Sequence, residues 1–123
     1  MDEKDIKILG RSFQFALRVI KVVDQLPNVK SARVLGNQLM RAGTSVGANV
    51  EETIAAYSKR EFTHTMNIAL REARETHYWL RLLQGSNIVR SDRLDAIIAE
   101  SVEIKKILGA IVRTSRAKNQ DLS

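Results

Sequence analysis

Cysteine is absent from the 123 residues, so neither a disulfide framework nor thiol chemistry is available to the chain. Proline occurs once and glycine six times, and aromatics make up only 5%. That scarcity leaves little material for short strands and tight turns and favours long helices. No apolar run approaches the length needed to span a bilayer. The charged start, Met1-Asp2-Glu3-Lys4-Asp5, lacks the apolar core of a signal peptide, so a soluble, unexported chain in a reducing cytosol is expected. Also missing are a glycine-rich phosphate loop and any nucleophile–histidine–carboxylate constellation, which argues against an enzyme.

What the chain has is positive charge. Twenty Lys and Arg against fourteen Asp and Glu give a net charge of +6 and a pI near 10.0, a balance that favours polyanions. A single domain of this length can bury a real core without metal or disulfides.

Apolar residues recur in steps of three and four through four segments, predicting helices at about 5–26, 31–56, 58–84 and 91–117. Short links between them imply an all-α, antiparallel, up-down-up-down four-helix bundle. On the first helix the leading row is Ile6, Leu9, Phe13, Ala16, Ile20 and Val23, flanked by Phe15, Val19, Val22 and Leu26. Pro27 and Asn28 end it. Ser31 is expected to cap the second helix, whose seam runs Leu35, Leu39, Ala42, Val46, Asn49, Thr53 and Ala56. Gly43 and Gly47 lie four apart within that helix, and each costs about 1 kcal/mol relative to alanine. Arg41, Glu51 and Glu52 nearby rule out a membrane dimer, so close approach of a neighbouring helix, in the bundle or across subunits, accounts for them.

The third helix is the organising element. Ser58 and Glu61 have capping-box spacing. One seam, Phe62, Met66, Ala69, Ala73, Thr76, Leu80 and Leu83, suits a core. A second row, Ile68, Glu72, Glu75, Trp79 and Leu82, lies on an adjacent face and needs its own cover. Packing between helices or subunits is therefore assigned to Gly43, Gly47, Ile68, Glu72, Glu75, Trp79 and Leu82. Glu72 and Glu75 are expected to pair with Arg41, Arg71 or Arg74, or with an arginine of another subunit, rather than act as acid and base. Ser91 is placed at the cap of the fourth helix, with a polar, frayed tail after it from Lys118 to Ser123.

Other chemistry is sparse. Glu61-Phe62-Thr63-His64 has the Glu-x-x-His spacing of a di-iron bundle site, but no second such pair exists, so no metal and no cofactor are expected. Lys105, Lys106, Arg113, Arg116 and Lys118 concentrate charge near the end of the fourth helix. They either complement the helix C-terminus or meet phosphates.

The run Leu35-x-x-Gln38-Leu39-x-Arg41-Ala42-x-x-Ser45-Val46-x-x-Asn49-Val50-x-Glu52, with Ser58-x-x-Glu61-Phe62 and Ile68-Ala69-x-x-Glu72-Ala73-x-Glu75-Thr76-x-Tyr78-Trp79-Leu80, resembles the bacterial four helix bundle family. Its founding members are encoded by intervening sequences in large-subunit ribosomal RNA genes. Many members have Gly after the Glu that ends the second helix, where this chain has Thr53, so a later turn is expected here. The resemblance implies a ring of antiparallel bundles, a homopentamer. The chain is also similar in architecture and charge to the accessory variability determinant of diversity-generating retroelements, which associates with a reverse transcriptase and nucleic acid. Two functions remain open at this level: a non-enzymatic RNA- or DNA-binding ring, or a protein-interaction scaffold whose charge only confers solubility.

Overall fold

The computed structural model describes residues 2–121. Four helices carry the fold: α1 (Glu3–Asp24), α2 (Lys30–Glu52), α3 (Lys59–Gly85) and α4 (Asp95–Asp121), with single 3-10 turns at Thr53–Ala55 and Ser91–Leu94. Each helix packs on the next and α4 closes back on α1, the loosest of the four seams. Paired residues fix the directions. Gly36, Gly43 and Gly47 of α2 meet Val23, Val19 and Ser12 of α1 in reverse order. Thr63, His77 and Gln84 of α3 meet Ser115, Lys105 and Asp95 of α4, again reversed. Arg11 reaches Glu100, while Asp2 lies within the field of Lys118. Helices adjacent in sequence are thus antiparallel, and the bundle runs up, down, up, down.

Local chemistry sets the ends. Asp2 accepts from the Asp5 amide at 3.0 Å and Asp5 accepts from the Asp2 amide at 3.1 Å, a reciprocal cap on α1. The start of α2 differs from expectation. Val29, not Ser31, precedes its first turn and offers no side-chain cap, while Asn28 is held by Arg33 at 2.8 Å. The Pro27 turn simply closes early enough for Lys30 to enter the helix. After Glu52 the backbone stays helical through the 3-10 turn, so the corner falls at Ala56–Ser58, later than a glycine at position 53 would put it. Ser58 caps α3 by accepting from Glu61, but the Glu61 carboxylate takes the amide of Tyr57, displacing the box by one residue.

Asn87, with φ of 58°, turns the chain after α3, a left-handed position that asparagine tolerates. Ser91 does not cap α4. It opens the 3-10 turn, its carbonyl accepts from Gln84, and the α-helix begins at Asp95. The expected frayed tail is helical as far as Asp121, tied by Asn119 donating to Thr63 at 2.9 Å. Leu122 and Ser123 lie outside the described residues.

The core holds Ile8, Phe15 and Val19 of α1, Leu39, Val46 and Val50 of α2, Met66, Leu80 and Leu83 of α3, and Ile104 and Leu108 of α4. The α3 core seam is where its periodicity puts it, with Phe62 half-buried at one end. The leading row of α1 is not. Ile6 is 58% and Phe13 54% exposed, and the buried line is Ile8, Ser12, Phe15 and Val19. Ser12 conceals that line from an apolar reading: it packs where Gly47 leaves no room for more, and its hydroxyl donates to the Leu9 carbonyl. Among the described residues, no helix is long and apolar enough to cross a membrane.

Candidate nucleic-acid interface

At about 100° per residue, Lys105 and Arg116 project about 20° apart on α4, with Arg113 and Lys106 about 80–100° round from Lys105. Lys118 falls on the opposite flank. The structure divides the five accordingly. Lys118 turns toward the N-terminus of α1, lining an open cavity of about 550 Å³ with Asp2, Asp5, Thr53 and Tyr57. Lys106 lies 3.6 Å from Glu103. Lys105, Arg113 and Arg116 remain together, and among the described residues none of them is in an ion pair. Arg113 folds back over Gly109, where a β-carbon would lie 3.3 Å from its guanidinium.

The neighbouring flank of α3 adds His77 and Arg81, to which the sequence assigned no role, and Arg74, which was expected as a partner of Glu72 or Glu75 but leaves both to Arg41. Their steps of three and four put them on one face. What was missing was which helix that face meets. His77 meets Lys105: the lysine Nζ lies 3.0 Å from the imidazole Nδ1. A lysine can only donate, so Nδ1 accepts and the ring proton is assigned to Nε2. Burial, then Lys105 and then Arg81 push the imidazole below the ordinary histidine pKa, so at neutral pH it is uncharged. Arg74 and Arg81 also lack ion-pair partners among the described residues. From Lys105 to Arg116 the axis of α4 advances about 16 Å. The result is a cationic strip running along the α3–α4 groove rather than a patch at one helix end.

The groove between α2 and α3 carries the opposite pattern. Arg41 reaches Glu72 at 3.2 Å and pairs closely with Glu75, which also accepts from the Trp79 indole at 3.1 Å. Both carboxylates are therefore held by one arginine, Arg41, one of the expected partners. Tyr78 packs edge-on to Trp79 at 5.2 Å. Trp79 is half-buried against the core of its own bundle, while Ile68 and Leu82 are half-buried beside it, so this row is not left wholly in water. Tyr78 beside it is exposed, and further open apolar side chains are Ile6, Phe13 and Leu17 of α1, Val29 and Val34 at the start of α2, and Ile54 and Tyr57 in the α2–α3 corner. His64 is exposed and Glu61 is occupied in capping; among the described residues no three potential ligands gather into a metal-sized group.

The sequence profile of the 23S rRNA-intervening sequence proteins matches residues 4–110. The chain belongs to that family. It is also similar to a crystal structure of a protein of unknown function from the S23 ribosomal protein family of Bacteroides thetaiotaomicron. The two are 37% identical over 89% of this chain and 98% of the other, with a TM-score of 0.83. Comparison with curated proteins gave no match. Neither family membership nor the solved relative points to an enzymatic class.

Proposed function

We propose that this family member is a non-enzymatic, self-assembling bundle of the cytoplasm that binds the phosphate backbone of RNA or DNA along the α3–α4 groove. The observation that carries the reading is the set of cations there, Arg74, Arg81, Lys105, Arg113 and Arg116, with no carboxylate paired to them among the described residues. Exposed arginines without protein partners suit bidentate contact with phosphate. The net charge of +6 supports it.

Assembly into a ring, a homopentamer as the family resemblance implies, would repeat the strip around an axis and multiply its contacts. The open row of Ile6, Phe13 and Leu17 on α1 supports self-association. A nucleic-acid enzyme such as a reverse transcriptase is the proposed wider partner. That same row also favours the second reading, a protein-interaction scaffold. Gel-shift titration with structured RNA and duplex DNA over a salt series separates the two. Binding that weakens steeply with salt fits phosphate contact, and no shift even at low salt removes it.

A further inference from the structure

Within the cationic strip one pair is unlike the rest. Lys105 is half-buried and its Nζ spends a hydrogen bond on a neutral imidazole, 3.0 Å away, instead of a carboxylate. A partly desolvated ammonium is normally found opposite a negative charge, because burial penalises it otherwise. None is provided here. The charged groups acting on His77 are Lys105 from α4 and Arg81 from its own helix, and no carboxylate is among them. Three acids of α4 are engaged elsewhere: Asp95 accepts from Gln84, Glu103 pairs with Lys106, and Glu100 pairs with Arg11 of α1.

We propose that His77 and Lys105, flanked by Arg81, form a discrete binding site for a phosphate oxyanion midway along the α3–α4 groove. The proposal rests on the reading of this face as a nucleic-acid surface and names the point on it where the contact is built in. The donor set fits an oxyanion. Lys105 retains two N–H groups beyond the one it gives His77, and Arg81, which acts on the same imidazole, offers a guanidinium one turn along α3.

The geometry also couples binding to the proton. If His77 gains a proton at Nδ1, its bond from Lys105 is lost and two cations stand side by side. That arrangement is unfavourable alone and favourable with an anion between them. Phosphate and proton therefore assist one another, and by linkage the anion must raise the midpoint at which His77 titrates.

The test is an NMR titration of the His77 ring between about pH 5 and 8, alone, with inorganic phosphate, and with a six-nucleotide oligouridine. The expected result is a rise of about one unit in the His77 midpoint on adding ligand, equivalent to about tenfold tighter binding by the protonated ring. The His64 ring, exposed on the same helix, is the internal reference and should not respond. Lys105→Gln should raise the His77 midpoint without ligand and abolish the further rise. Arg81→Gln, a fully surface change, should diminish it. A response to oligouridine alone identifies a backbone diester, and a response to inorganic phosphate alone identifies free phosphate; either supports the site. No movement with either ligand overturns it. The two proposals fail separately: RNA retarded in gels with His77 silent leaves nucleic-acid binding standing without this site, and His77 responding to phosphate with no RNA retarded leaves the site without that function.

Discussion

Gly43 of α2 lies so close to Val19 of α1 that a β-carbon built on the glycine would sit 2.8 Å from both valine methyls. The valine is fully buried, and its branched side chain has one comfortable rotamer in a helix, so it cannot swing aside. The helix thus tolerates glycine's intrinsic penalty of about 1 kcal/mol at this position in exchange for a close α1–α2 contact. Gly43→Ala is expected to lose about 1–3 kcal/mol by overpacking, offset in part by better helix propensity. Urea unfolding measures it. Combined with Val19→Ala, the loss should fall short of the sum of the two single changes, because the methyls that clash are gone.

A second expectation concerns acid. The Arg11 guanidinium donates twice to Glu100, both bonds at 2.8 Å, and this holds the Glu100 carboxyl below the ordinary glutamate pKa. A carboxyl lowered on folding contributes stability that is fully present above the unfolded value, about 4.3, and is lost as pH falls through the folded one. Arg11 is well exposed, so the contribution is discounted to under about 1 kcal/mol. Glu100→Gln should therefore lower stability slightly at neutral pH and flatten its decline below about pH 4.3. Thermal unfolding of both proteins across that range checks the sign.

The arrangement of the bundle was legible in the periodicity because helices α2 to α4 bury apolar residues at regular steps. Where it misled, a polar or small residue occupied a core position. Ser12 broke the buried line of α1, so the neighbouring row with Phe13 read as stronger. Helix starts were legible only where the side chain bonds its own backbone, as at Ser58, and not at Val29 or Arg90, where no side chain caps. The charged site was half visible. Lys105, Arg113 and Arg116 could be read from α4 alone, but their company, Arg74, His77 and Arg81, follows from the pairing of α3 with α4, and the separation of Lys118 from the turn of α4 toward α1.

Self-association is expected to depend on α1. Ile6, Phe13 and Leu17 form the open apolar row, and none is needed to fill the core. Phe13→Asp should leave helicity and unfolding temperature close to wild type while reducing the mass seen by light scattering. An unchanged mass would place the contact elsewhere, and Trp79→Asp then tests the α2–α3 groove.

The most direct measurement is the salt dependence of RNA affinity, followed by fluorescence anisotropy for wild type and for Arg74→Gln/Arg113→Gln/Arg116→Gln. The three arginines are exposed and form no ion pairs among the described residues, so the variant should fold as the parent does. Each phosphate contact removed should take about one from the slope of log affinity against log salt. The account predicts weaker binding by the variant with a slope shallower by about two to three. Equal affinities and equal slopes for the two proteins would contradict it.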